Sequence, residues 1–121
     1  MTRDEIIKGL TVLDPSELFA EADRVRRECV GDEVHLRGLV EFSNVCGRDC
    51  LYCGLRRSNK EIVRYGMDMA GVFETARIAC EMGYRSVVLQ SGESSRYPTE
   101  EIAGLVRRIK KDLGLAVTLS L

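Results

Sequence analysis

Arg85-Ser86-Val87-Val88-Leu89-Gln90-Ser91 decides the fold class. Its centre, Val87-Val88-Leu89, is apolar without alternation, which fits a parallel strand buried on both faces. A helix follows. Thr99 stands as its N-cap, Glu100 and Glu101 lie in the first turn, and Arg107, Arg108, Lys110 and Lys111 lie toward the end, as the helix dipole favours. Ile102, Leu105, Val106, Ile109 and Leu113 repeat at helical spacing and predict the buried stripe. Gly114 stops the helix, and residues 115–121 begin another strand.

Toward the N-terminus the same alternation continues. Asp68 caps a helix whose apolar face is Met69, Val72, Phe73, Ala76 and Cys80 and which ends at Gly83. Residues 34–44 read as the first strand, with Gly38 marking a bend or a close backbone approach. Asp14-Pro15-Ser16-Glu17 is a helix start, with a carboxylate cap, proline at the first helical position and Glu17 reaching back. Leu18, Ala22, Val25 and Cys29 follow at helical spacing, and Gly31 closes that helix. A shorter helix covers residues 3–8.

Strand and helix in alternation imply βαβ units, right-handed crossovers and a parallel sheet, so the fold class is α/β. Three parallel strands leave two raw edges, and a complete (β/α)8 barrel takes roughly 200 residues or more. The expectation is therefore the N-terminal portion of a TIM-type barrel, truncated at Leu121. Residues 1–31 would form an N-terminal helical extension and residues 32–121 a partial barrel holding the first three strands.

Eighteen basic residues against 19 acidic ones give a formal charge of −1, which offers neither a nucleic-acid surface nor a polybasic membrane patch. Met1-Thr2-Arg3-Asp4-Glu5-Ile6-Ile7-Lys8 is charged and amphipathic, without the apolar core of a secretion signal. No run approaches the roughly 18 apolar residues of a membrane span. Five cysteines, an odd number without a secretion signal, point to a reducing, cytoplasmic compartment and to ligand use over disulfides.

Three of those cysteines stand in Cys46-Gly47-Arg48-Asp49-Cys50-Leu51-Tyr52-Cys53, just past the first strand. At C-x3-C-x2-C spacing, three soft thiolates in one compact loop can face a single iron–sulfur cube and leave one iron without a protein ligand. Gly47 is read as permitting the loop's tight backbone path. The rival is a structural zinc site, which usually wants four closed ligands, often as paired C-x2-C units. No second pair follows, and the lone His35 precedes the cysteines and is read as structural. Cys29 and Cys80 lie on apolar helix faces and are assigned to the core.

The cysteine spacing, with Tyr52 just before the third cysteine, resembles the radical S-adenosylmethionine (radical SAM) superfamily. The resemblance implies a 4Fe-4S cluster on Cys46, Cys50 and Cys53, whose open iron chelates the amino and carboxylate groups of S-adenosyl-L-methionine. An electron passed to the sulfonium breaks a carbon–sulfur bond, and the 5′-deoxyadenosyl radical abstracts a substrate hydrogen. It places Tyr52 beside the adenine. It matches Ser91-Gly92-Glu93, at the carboxyl end of the second strand, to the Gly-Glu motif that holds the methionine ammonium, with Ser91 and Gln90 as weaker members of the same pocket. It implies no catalytic residue beyond the cluster ligands. The bland alternative for Glu93 is a solvated turn.

Glu41-Phe42-Ser43-Asn44-Val45-Cys46, Leu51-Tyr52-Cys53-Gly54-Leu55-Arg56-Arg57-Ser58-Asn59-Lys60, Val88-Leu89-Gln90-Ser91-Gly92-Glu93 and Ala116-Val117-Thr118-Leu119-Ser120-Leu121 are similar to FeFe-hydrogenase maturases of the HydE type. That group, with biotin synthase and methylornithine synthase, implies a full barrel, a small-molecule substrate and other hydrogenase maturation proteins as partners, with no nucleic acid and no membrane. Methylornithine synthase-like and biotin synthase-like enzymes are the alternatives, and a non-catalytic metal or iron–sulfur module is an alternative of another class. The fragment alone is expected to be inactive.

Other polar residues carry two readings each. Glu41 and Ser43 share one face of the first strand, opposite Val40 and Phe42, so Glu41 either faces the barrel mouth or forms a buried ion pair. Thr118 and Ser120 share that alternation. Arg56, Arg57, Arg64 and Tyr65 are either a solvated loop or supply an arginine that closes over the cluster or meets a substrate carboxylate.

Overall fold

The computed structural model describes residues 2–11 and 15–121, and it divides into two compact units, Met1–His35 and Leu36–Leu121. The first unit is helical, with α1 at Arg3–Thr11 and α2 at Ser16–Val30. Asp14, expected to cap α2, lies outside the described residues. Gly31 ends α2 with φ at 77°, and its N–H reaches the Arg27 carbonyl. Along α2 the ion pairs Arg24–Glu21 and Arg24–Glu28 join helical neighbours. Cys29, expected in a core, is exposed: none of the described residues of α2 is buried.

The second unit runs β1 (Gly38–Ser43), α3 (Met69–Glu81), β2 (Ser86–Ser91), α4 (Thr99–Arg108), a π-helical turn (Ile109–Leu113) and β3 (Ala116–Ser120). The strands form one parallel sheet in the order β1-β2-β3. Val40, Phe42, Val87 and Leu89 face α3 and α4 and build the core with Val72, Ala76, Ala79, Leu105, Ile109 and Leu115. Burial of this apolar set is the main force holding helices to sheet. Three parallel strands with crossover helices match the expected first portion of an α/β barrel.

Most element ends follow local chemistry. The Asp68 carboxylate accepts from the Gly71 N–H at 2.7 Å and caps α3, as its sequence predicts. Gly114 stops the π-turn in the left-handed region, φ 67°. Thr99 is not the cap of α4: the chain enters from Pro98, whose carbonyl accepts from the N–H groups of Glu101 and Ile102. The first strand is shorter than the predicted 34–44, because residues 31–37 find no ladder partner and pairing starts where Gly38 meets Val87.

β2 is not buried on both faces. Val87 and Leu89 are fully covered, while Val88 is half-buried on the face opposite the helices. That open face carries two rows set by register, Leu39–Val88–Thr118 and Glu41–Gln90–Ser120. Glu41 is therefore exposed and is no buried ion pair. Thr118 and Ser120 do share its alternation. Ser43 does not, because the register shifts between Glu41 and Ser43 and turns Ser43 inward, 1% exposed.

Candidate functional site

Residues 44–67 leave the carboxyl end of β1, carry the three cysteines, and return antiparallel to where they started. The return is stitched by backbone and side chain: Met67 N–H donates to the Phe42 carbonyl at 2.8 Å, Ser43 pairs with Gly66, and the Ser43 hydroxyl donates to the Tyr65 carbonyl. Asn44 brackets the next turn of the chain, its Oδ1 accepting from Tyr65 N–H at 2.7 Å and its Nδ2 donating to the Val63 carbonyl at 2.8 Å. Tyr97, in the loop after β2, donates to the Met67 carbonyl at 2.8 Å and sets its ring edge-on against Phe42, 5.1 Å between centroids. The loops after β1 and β2 are thus tied together at the carboxyl ends of their strands, where a parallel sheet places its sites.

Within the loop, short-range bonds shape the cysteine segment. Cys53 N–H donates to the Cys50 carbonyl at 3.0 Å, Arg56 N–H to the Cys53 carbonyl at 3.2 Å, and Arg57 N–H to the Arg48 carbonyl at 2.7 Å. Asp49 accepts from Ser58 N–H, and hydrogen bonds from the Ser58 side chain and backbone hold its carboxyl below its ordinary pKa. All five cysteines are free; Cys50 is exposed, while Cys46 and Cys53 are half-buried. Tyr52 is 93% exposed beside them.

Gly92 and Glu93 sit directly against this loop. Gly92 N–H donates to the Ser43 carbonyl at 3.0 Å, and Gly47 N–H donates to the Glu93 carbonyl at 2.7 Å. A β-carbon on Gly92 would stand 2.5 Å from the Val45 carbonyl oxygen and 2.7 Å from Cys46 Cβ, so only glycine allows this approach. Gly47, by contrast, has no left-handed φ, and a β-carbon there would meet only the Glu93 carbonyl at 3.6 Å. The glycine that the loop's path requires is Gly92, 45 residues further on. Ser91 turns its hydroxyl to the Gly92 carbonyl at 2.9 Å, and Gln90 lies half-buried on the open face.

The Glu93 carboxylate is ion-paired with Arg48, and that guanidinium lowers the Glu93 pKa while the carboxylate raises that of Arg48. Both side chains are more than half exposed, so the pair is weakly held and screened by solvent. Glu93 is thus an acceptor for a cation, matched to a guanidinium here and equally suited to an ammonium. Arg56 and Arg57 do not close over the cysteines: Arg56 reaches the Cys53 carbonyl at 3.1 Å and Arg57 pairs with Asp49 at 3.6 Å. Arg64 is half-buried, and its hydrogen bonds go to backbone carbonyls of the loop rather than to an acid. His35 is exposed in the first unit, and Cys80 is half-buried with its thiol toward the Leu113 carbonyl.

Among the described residues, no group of three His, Cys, Asp or Glu side chains is gathered closely enough to hold one metal ion. A multi-iron cluster takes each thiolate at a separate iron, so its ligands need not meet at a point. Three free thiols on one tied loop, with glycine pressed against the first of them, fit that donor set.

Over 123 residues the chain is 49% identical to the FeFe hydrogenase maturase subunit HydE of Thermotoga maritima, covering 99% of this chain and 35% of that protein. It is 30% identical over 123 residues to 3-methylornithine synthase of Methanosarcina barkeri, covering 97% and 35%. The crystal structure of methylornithine synthase superposes with a TM-score of 0.85 at 27% identity, over 98% of this chain and 36% of that one. The chain belongs to the radical SAM superfamily. Within the superfamily its likeness is to the HydE type, and the chain spans 35% of the length of each of the two curated relatives. No family model matches the chain. Among the described residues, no helix of this radical SAM chain is long and apolar enough to cross a membrane.

Sequence reading assigned no role to Arg48 or Asn44, whose partners lie 45 and 19 to 21 residues away. Arg64 carries two readings in the sequence, and its bonding to backbone carbonyls 5 to 20 residues away is neither of them. The place of Arg48 between Cys46 and Cys50 is a signal that could have drawn attention to it.

Proposed function

We propose that Cys46, Cys50 and Cys53 ligate a 4Fe-4S cluster, and that Tyr52, Ser91, Gly92 and Glu93 hold S-adenosyl-L-methionine beside it. The enzyme containing this chain would act in the cytoplasm on a small-molecule substrate in FeFe-hydrogenase maturation, alongside other maturation proteins. When bound, the cluster would supply one electron at low potential to cleave the sulfonium and begin radical chemistry. The chain's own residues would do the rest. Glu93 offers a carboxylate to the methionine ammonium, in place of Arg48. Tyr52 presents an exposed aromatic face to the adenine. Gly92 keeps the second strand's carboxyl end against Cys46, so that cofactor and cluster share one wall.

The observation that carries this reading is the contact of the Gly92-Glu93 backbone with the cysteine loop, through the 2.7 Å bond from Gly47 N–H to the Glu93 carbonyl. Two motifs far apart in sequence meet where the reading needs them. A methylornithine synthase-like activity is the second reading, supported by the TM-score of 0.85; the 49% identity to HydE against 30% to the synthase ranks the maturase first.

The test is anaerobic reconstitution of the chain, with electron paramagnetic resonance of the reduced sample before and after S-adenosyl-L-methionine. A 4Fe-4S signal that changes with the cofactor and vanishes in Cys50→Ala is the expected result. Stoichiometric zinc and no iron would overturn the reading.

A further inference from the structure

Arg64 makes an arrangement that the proposed chemistry does not require and that a solvated loop arginine would not make. Its Nη1 donates to the Asn44 carbonyl at 2.6 Å and to the Leu55 carbonyl at 2.8 Å; its Nη2 donates to the Arg56 carbonyl at 2.7 Å and to the Asn59 carbonyl at 3.3 Å. Asn44 lies two residues before Cys46, and Leu55 lies two residues after Cys53. One nitrogen therefore joins the outgoing arm of the cysteine loop to its returning arm. Asn44, 8% exposed, completes the clasp by holding the backbone on either side of Arg64, at Val63 and Tyr65.

We propose that Arg64, seated by Asn44, is a positioning residue that sets the separation of Cys46 and Cys53 before any metal arrives. Calling those cysteines ligands rests on the proposed function; the clasp itself does not. The returning arm is linked to Cys53 through the Arg56 N–H, so holding Leu55 and Arg56 holds that cysteine. Cys50 lies beyond the clasp, fixed only by ties within the tip, and is the exposed member of the three. Arginine is required because a planar fork with five donors reaches four carbonyls at once, whereas a lysine ammonium has three donors at a single point.

The experiment uses the reduced, metal-free chain and compares wild type, Arg64→Ala and Arg64→Lys by thiol alkylation rate at each cysteine and by amide exchange. In wild type, Cys50 labels fastest of the three loop cysteines, with the exposed Cys29 as an internal reference. In Arg64→Ala, Cys46 and Cys53 speed up by about tenfold or more, the opening expected when charge-assisted bonds closing a loop are lost. Protection falls at Tyr65 and Arg57 but persists at Val40, Val87 and Leu89. Arg64→Lys falls between the two, and after reconstitution the iron content and paramagnetic signal change in the same order. Unchanged labelling in Arg64→Ala overturns the clasp, and so does loss of sheet protection together with the loop. If Arg64→Ala does not fold, Arg64→Lys decides, and wild-type labelling there overturns it. Should the labelling follow the expected order while wild type takes up no iron, the clasp stands and the ligand assignment fails.

Discussion

Gly92→Ala perturbs the contact between the two halves of the site at one atom. The added carbon would stand 2.7 Å from Cys46 Cβ and 2.5 Å from the Val45 oxygen. Carbon atoms pack at about 3.5 Å or more, so Cys46 must retreat by roughly 0.8 Å, or β2 must move by as much. Neither obstacle is the end of a flexible side chain; both belong to the backbone or to a Cβ. Overpacking of this kind costs about 1–3 kcal/mol. The retreat also strains the bonds from Gly92 N–H to Ser43 and from Gly47 N–H to Glu93, which lie on either side of the contact. The assay is urea unfolding of the metal-free chain followed by far-ultraviolet circular dichroism, with iron bound per chain after reconstitution as a second reading. Gly47→Ala is the control, since its β-carbon meets only an ordinary 3.6 Å contact and its stability should stay within about 0.5 kcal/mol of wild type. Gly92→Ala is expected to lose both stability and iron. If the two variants match each other and wild type in both readings, the steric argument is wrong.

Two further outcomes follow from the geometry. Asp68→Ala removes the side-chain cap of α3 and should lower stability by about 1 kcal/mol, read from the urea midpoint, with Asp68→Asn close to wild type. Glu93 should titrate below the usual glutamate value of about 4.3, because Arg48 favours its charged form. Its folded pKa is depressed, so the pair's contribution is present above the unfolded value and is lost as pH falls through the folded one. Carboxyl chemical shifts report it directly: Arg48→Ala or high salt should move the Glu93 midpoint up, and an immobile midpoint would contradict the pairing.

The chain order of elements was legible because each signal is local. Asp68 caps the helix that begins one residue later, Gly114 ends the turn before it, and the apolar stripe of α4 needs only helical spacing. The cysteine loop and the Ser91-Gly92-Glu93 segment were legible as motifs for the same reason. Readings failed where a neighbour distant in sequence decided the outcome. Residues 34–37 look like strand, yet pairing begins only where β2 offers a partner. Ser43 alternates with Glu41 on paper, but the returning segment at Tyr65 and Gly66 draws it inward and breaks the register.

By itself, then, the sequence determined the α/β alternation and the spacing of three thiols behind a strand, since both are set by residues within a few positions of one another. Tertiary structure alone decided which glycine must be a glycine, which acid Arg48 meets, and that Arg64 is bound to carbonyls rather than to solvent. The Gly92 and Arg48 contacts and the bond from Arg64 to Asn44 join segments 20 or more residues apart, which meet only after burial of Phe42, Val87 and Leu89 has brought the strand ends together.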